Sequence, residues 1–340
     1  MAREYSTLPR PSVLPGPAEI FAPVSRKLRS VDRALQSWPG RASPVLLKMA
    51  RQTVSKQGKL IRPGILLLIT GHLGYKGKND TILAAAVEAI HLASLIHDDI
   101  IDGSAYRRGE KTAVHRFGPN FSLLLGDFFF IRSIARTLSS EDPKIPQMLA
   151  ATAQEMIEGE MEELEESYNF SLTPSRYLKI IEKKTASLFR TTCRLGCRLG
   201  RARRKDEAAL AEYGLNLGLA FQVIDDLLDL VGQPAETGKP VFSDLREGRV
   251  TMPLILALRH QEPAARRELK RRLERISRDQ DRASISCLLA MMERSGAFRL
   301  TFEQAQALAG KARRAALTLK PSLHRQSLLQ LVDFVLWRKR

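Results

Sequence analysis

The sequence predicts an all-α protein folded as a single large helical bundle. Three observations carry that expectation. Ala and Leu dominate the apolar set and aromatics make up only 6%, a composition that favours helix. Apolar residues recur at three- and four-residue spacing through one segment after another, and β-branched alternation is almost absent. Several of these segments are apolar nearly all round, which places them inside a bundle rather than on its surface.

The elements follow in chain order. Residues 1–24 carry Pro9, Pro11, Pro15, Pro17 and Pro23 with little periodicity and read as a mobile tail. One domain is expected from 25 to 340. The stretch "DTILAAAVEAIHLASLIHDDII" (80–101) opens at Asp80, a plausible cap. Helical patterns continue over 122–140, 146–167, 173–200 and 206–232, then 251–261, 263–277, 280–295 and 301–317, with a last helix running to the end. The one long irregular segment after the tail is "GQPAETGKPVFSDLREGR" (232–249), and loops of that length in compact domains usually carry function or are disordered.

No apolar run approaches the roughly 18 residues of a membrane span, and the N-terminus lacks the apolar run of a signal peptide. Cys193, Cys197 and Cys287 make no disulfide framework and no metal-ligand set, so they read as small residues in a reducing compartment. A cytoplasmic location is expected. The net charge of +17 is concentrated in "RARRK" (201–205) and "ARRELKRRLERISR" (265–278). No zinc-finger spacing, RNA-recognition signature or aromatic stacking set accompanies it, so no specific nucleic acid is expected as a partner. A solvated face is the plainer account, with a weak contact to an anionic membrane surface left open.

Two acidic clusters share one spacing. "DDIID" (Asp98, Asp99, Asp102) is echoed by "DDLLD" (Asp225, Asp226, Asp229). In each, the first and last aspartates lie four apart on one helix face, preceded by apolar sequence. Like charges at that spacing destabilise a helix by a few tenths of a kcal/mol per pair, and by more when desolvated. One such cluster reads equally as a solvated helix end. Two on different buried helices need a counter-charge. Magnesium fits, as a hard cation that uses one or two carboxylates and completes its shell with water and phosphate. No HExxH or Cys/His set suggests zinc.

Basic residues complete the pattern. Arg107 and Arg108 follow Asp102, "GKLIRP" supplies Lys59 and Arg62, "KKT" supplies Lys184 and Thr185, and "GKP" supplies Lys239. His91 lies within about 20° of Asp98 around the helix, and Gln222 shares a face with Asp229 by the same count. Each alone reads as an ordinary surface cation or core histidine. Together with both clusters they describe a site for more than one diphosphate.

"GKLIRP", "HLASLIHDDIIDGSAYRRGEKT", "LLGDFFF", "EKKTASLF", "FQVIDDLLD" and "GKPVFSDLREGRVTMPLI" stand in the order and rough spacing of the trans-isoprenyl diphosphate synthases. The chain resembles that family over residues 25–340, and within it the bacterial long-chain synthases that supply quinone side chains. The resemblance implies the isoprenoid synthase type of bundle with a central active-site cavity, and repeated magnesium-dependent condensation of isopentenyl diphosphate onto an allylic diphosphate. It implies that Asp98, Asp102 and Asp225 hold magnesium, supported by Asp99, Asp226 and Asp229. It gives the allylic diphosphate to Arg107, Lys184, Thr185, Gln222 and Lys239, and isopentenyl diphosphate to Lys59, Arg62, His91 and Arg108. A homodimer is expected from the family alone.

Three positions depart from the family pattern. Phe242 stands where Gly is usual, Arg249 where Lys is usual, and Asn is usual near His115. Arg249 keeps the charge without the ammonium geometry, and Phe242 removes a permissive backbone position. No metal ligand is lost, so an active enzyme is expected. Ala93 and Ser94, one turn before Asp98, are small where short-chain members carry bulk, and read as an open chain-length gate. Phe128, Phe129 and Phe130 are candidates for the tunnel floor or the dimer contact. Rival readings are a farnesyl or geranylgeranyl synthase, a terpene cyclase, a non-catalytic subunit, and a basic lipid- or RNA-binding protein. The last two have no need of both acidic clusters, and a cyclase rarely keeps "GKLIRP" and "RRG".

Overall fold

A computed structural model describes residues 14–40, 42–54, 58–107, 109–231, 242–276 and 282–338. Arg108 and Lys239 of the expected site lie outside them. The helices are α1 (Ser25–Ser37), α2 (Pro44–Val54), α3 (Ile61–His72), α4 (Asn79–Ile101), α5 (Ala113–Phe117), α6 (Pro119–Ala135) and α7 (Lys144–Glu165). They continue with α8 (Pro174–Ile181), α9 (Ser187–Leu199), α10 (Arg204–Val231), α11 (Ser243–Arg246), α12 (Met252–Arg259), α13 (Pro263–Ile276), α14 (Arg282–Arg294), α15 (Ala297–Leu317) and α16 (Leu323–Trp337). The strand content among the described residues is one hairpin, β1 (Tyr106–Arg107) against antiparallel β2 (Glu110–Lys111).

The core runs through α3, where Ile65 to Ile69 are buried, and through α4, where Leu83 to Ile90 are buried. α4 packs on α6, α3 and α1, while α10 packs on α15 and α9. By length and apolarity α4 alone among the described helices could cross a membrane; here it is a core helix. α10 approaches α9 and the residue just before it closely because of two glycines. A Cβ on Gly214 would come within 2.6 Å of the Phe189 carbonyl, and one on Gly218 within 2.7 Å of Ala186 Cα.

Helix starts obey local chemistry. Thr173 caps α8 by accepting from the Arg176 amide with Pro174 at the first position, and Ser322 caps α16 through the Arg325 amide. The expected mobile tail needs correction in its described part. Pro17–Ile20 is a helical turn, Ala22–Val24 a 3₁₀ turn, and Ile20, Phe21 and Val24 are buried. The prolines sit where helix starts tolerate them, and the apolar residues between them supply the docking energy.

A second correction concerns the segment expected as one helix over 173–200. It is α8, a π turn at Glu182–Ala186, and α9. Such single-turn π segments recur at functional sites because the extra residue turns a side chain that a regular helix would aim elsewhere.

Candidate active site

Both acidic clusters end buried helices. Asp98 and Asp99 close the last turn of α4, with Asp102 as its C-cap, and Asp225, Asp226 and Asp229 occupy the last two turns of α10. Carboxylates at a helix C-terminus face the negative end of the macrodipole, which adds about 0.3–1 kcal/mol each to their mutual repulsion. Cations are needed on both counts, and the protein supplies several.

Arg107 Nε donates to Asp99 Oδ1 at 2.7 Å. Arg107 lies on β1, just beyond the end of α4, and pairs with an aspartate, where the sequence suggested an arginine free for a ligand. Arg249 Nη1 donates to Asp102 Oδ1 at 2.9 Å, its Nη2 to Asp244 Oδ1 at 2.9 Å, and it also pairs with Glu247. Burial works against the Arg249 charge, yet the carboxylates of Asp244, Asp102 and Glu163 more than offset it and raise its pKa. Asp225 pairs with Arg338 at 2.7 Å. The same guanidinium donates to the Phe221 carbonyl at 2.7 Å and stacks over the Phe221 ring at 3.6 Å.

Lys184 is the densest node. It lies 2.6 Å from both Glu160 and Glu163 of α7. Burial again opposes its charge, and Glu163, Asp98 and Glu160 together outweigh that and raise its pKa. A Cβ on Gly159 would sit 2.5 Å from the Lys184 amide nitrogen, so only glycine lets α7 approach the π turn this closely. Burial raises Asp98 above the usual carboxylate range, with Lys184 and Arg107 pulling the other way and Asp102 and Glu163 adding to the rise. Glu160 is pushed up to about 7, first by burial, against Lys184, with Asp98 and Glu163 adding. Glu163 acts on Asp98 of the first cluster and on Asp226 of the second, so one carboxylate links the two.

Thr185 Oγ1 of the π turn donates to Gln222 Oε1 of α10 at 3.0 Å, and Gln222 Nε2 donates to Asp226 Oδ1 at 2.8 Å. The Tyr177 hydroxyl donates to Asp226 Oδ2. Asp229 Oδ2 accepts from the Asp244 amide at 3.4 Å, at the start of α11. Phe242, which caps α11, has φ +62° and is fully buried. That is the left-handed region glycine usually fills, and the phenyl ring's burial offsets the backbone cost.

Lys59 lies 4.9 Å over the Phe334 ring of α16, and Arg62 is buried 4.3 Å over the Phe189 ring of α9. Phe189 in turn lies 5.5 Å from Phe221, which carries Arg338. An aromatic pair therefore separates Arg62 from the arginine on the second cluster. His91 is half-buried, and its carbonyl accepts from Ser94 Oγ at 2.9 Å. Ala93 is fully buried and Ser94 half-buried. His115 is exposed, its ring 5.5 Å from Tyr106.

Among the described residues no group of three or more His, Cys, Asp or Glu side chains is close enough to cage an ion. The donor set is hard oxygen offered in small numbers at each helix end. Magnesium bound with phosphate uses one or two carboxylates and draws the remaining ligands from water and substrate, so these residues fit it.

Sequence reasoning missed Glu160, Glu163, Tyr177, Asp244, Glu247 and Arg338. Glu160 and Glu163 sit in "EGEMEELEE", which reads as a solvated acidic face. The signal that could have found them is Gly159, a poor helix former in the middle of a strong helix.

Comparison with known proteins bears on this arrangement. A polyprenyl synthetase family profile matches residues 43–292. The octaprenyl diphosphate synthase of Escherichia coli (strain K12) is 34% identical over 287 residues, covering 84% of this chain and 88% of that protein. Component 2 of the heptaprenyl diphosphate synthase of Geobacillus stearothermophilus is 32% identical over 272 residues, covering 80% and 82%. A polyprenyl synthase from Caulobacter crescentus CB15, solved in complex with calcium and isoprenyl diphosphate, superposes with a TM-score of 0.91 at 31% identity. It covers 97% of this chain and 100% of that one.

Proposed function

The chain belongs to the polyprenyl synthetase family and is a trans-prenyltransferase, and from that premise we propose that it condenses isopentenyl diphosphate repeatedly onto an allylic diphosphate. The product is a long-chain all-trans polyprenyl diphosphate, destined for a quinone side chain, and the enzyme works in the cytoplasm. One observation supports the reading above the others. Asp99, Asp102 and Asp225 are each held by an arginine that a metal–diphosphate complex could replace or join.

Asp98, Asp102 and Asp225 would hold the metal, with Asp99, Asp226 and Asp229 behind them. When bound, divalent ions supply Lewis-acid neutralisation of the departing diphosphate. Lys184, kept protonated by its three carboxylates, would donate to the allylic diphosphate together with Arg107 and Lys239, and Thr185 and Gln222 would line the same substrate. Lys59, Arg62, His91 and Arg108 would hold isopentenyl diphosphate. As the allylic C–O bond breaks, the isopentenyl double bond supplies the electrons of the new C–C bond. A proton then passes to the departed diphosphate, which restores the alkene. Preorganised charge at the leaving group is the protein's main contribution.

A second copy of the chain is the proposed partner. Phe121, Leu124 and Ile131 on α6 and Leu138 just beyond it are between 53% and 69% exposed, and Ile157, Met161 and Leu164 are exposed on α7. Spaced three and seven residues apart, those of α6 fall on one helix stripe, and exposed apolar surface of this kind marks interaction sites. The Geobacillus relative is one component of its synthase, so a different subunit on the same face is the competing arrangement.

Incubation with isopentenyl and farnesyl diphosphates and magnesium tests the function. Products longer than geranylgeranyl diphosphate, abolished by a chelator, are expected. Products that stop at geranylgeranyl diphosphate would overturn the long-chain assignment.

A further inference from the structure

Resting on the condensation reading, we propose that Tyr177 and Asp226 are positioning residues that fix the direction of a hydrogen-bond relay ending at the Thr185 hydroxyl. Four groups from three elements make the relay: Tyr177 from α8, Thr185 from the π turn, and Gln222 and Asp226 from α10. Tyr177 and Asp226 are 4% and 3% exposed, so water does not satisfy them.

The direction follows from which groups can donate. Asp226 Oδ2 is taken by the Tyr177 hydroxyl, and Oδ1 is left as an acceptor. Only the nitrogen side of the Gln222 amide can face an acceptor, so Gln222 turns Nε2 to Asp226 and Oε1 to Thr185. Facing a carbonyl oxygen, Thr185 Oγ1 must spend its single proton there. Its lone pairs are therefore turned away from Gln222, and the negative end of its dipole with them.

This polarity suits a reaction whose transition state is cationic. An acceptor oxygen facing developing positive charge stabilises it, whereas an outward hydroxyl proton would oppose it. Without the phenol, Asp226 Oδ2 has no partner and the carboxylate is free to rotate off Gln222, so the amide loses its anchor and Thr185 its fixed acceptor. Tyr177 touches no reacting atom. It acts through Thr185, so its contribution should vanish when that hydroxyl is gone.

The test measures kcat, both KM values and the magnesium half-saturation for Tyr177→Phe, Thr185→Val and the double variant, with farnesyl and isopentenyl diphosphates. Tyr177→Phe is expected to lower kcat about tenfold, the rate equivalent of one net hydrogen bond. Both KM values and the magnesium requirement should stay within about twofold. The double variant should be no slower than Thr185→Val alone. Multiplying losses, or an unchanged kcat in Tyr177→Phe, would overturn the relay. If Tyr177→Phe does not fold, Asp226→Asn replaces it. A carboxamide has one acceptor oxygen for two donors, so the same dependence on Thr185 is expected at unchanged magnesium half-saturation. A raised half-saturation would instead make Asp226 a metal ligand and overturn the proposal. A wild-type protein that elongates nothing would fail the condensation reading itself, a result distinct from any of these.

Discussion

Arg338 gives the most demanding prediction, because it joins the second acidic cluster to the end of the chain. Its side chain is 2% exposed, whereas Asp225 is 42% exposed. Arg338→Met keeps an unbranched stem against Phe221 and removes the guanidinium. The bond to the Phe221 carbonyl, at 2.7 Å from a charged donor, is worth about 1.5–3 kcal/mol. The cation–ring contact adds about 1 kcal/mol or more where desolvated. Metal-free protein should therefore lose about 2–4 kcal/mol of unfolding free energy, read from denaturant midpoints. The pair with Asp225 is weaker because that carboxylate meets solvent, and screening holds it to about 1 kcal/mol or less. That smaller quantity is what a metal ion must overcome at Asp225. Affinity for Mn2+, followed as loss of the free-ion paramagnetic resonance signal, should rise about twofold to fivefold. Unchanged or weaker binding in a folded variant would refute the idea that Arg338 stands where a metal competes.

Other predictions follow from the same geometry. Ser94→Phe should shorten the product without stopping condensation, read by chromatography. Ala93→Phe, at a fully buried position, should instead cost about 1–3 kcal/mol of stability through overpacking. Glu160, pushed up to about 7 from 4.5, binds its proton more tightly folded than unfolded. Its contribution is fully present below about pH 4.5 and is lost as pH rises through about 7. Metal-free protein should thus weaken across that window, and Glu160→Gln should flatten the profile by up to about 3 kcal/mol; an unaltered slope would remove Glu160 as its source. Ile131→Glu should convert a dimer to monomer in light scattering, and a mass that does not change would take α6 out of the interface.

The sequence disclosed what rests on local periodicity. The three- and four-residue spacing located α4 and α10 within a residue or two, because a buried face must repeat with the helix turn. The echo of "DDIID" in "DDLLD" marked both helix ends, since like charges at that spacing need an outside cation. What stayed hidden depends on contacts between distant segments. Arg338 and Asp225 lie 113 positions apart, and nothing in "VLWRKR" distinguishes the arginine that turns inward. Tyr177 carries no motif, and its role appears only when α8 is set against α10. The π turn leaves no trace in "EKKTASLF", because one extra residue in a turn does not disturb an apolar pattern. Arg107 was legible as a cation beside Asp102, but its pairing with Asp99 required the hairpin. Phe242 was legible only as a misfit, and its left-handed backbone explains why glycine is usual there.

The central claim is that two acidic helix ends share the metal ions of one diphosphate. Its most direct measurement is Mn2+ stoichiometry in the presence of farnesyl diphosphate for the wild type, Asp98→Asn and Asp225→Asn. Each variant should bind fewer ions per chain than the wild type and lose at least about 10²-fold in kcat while remaining folded. Full stoichiometry in either variant would contradict the claim that its cluster holds the metal.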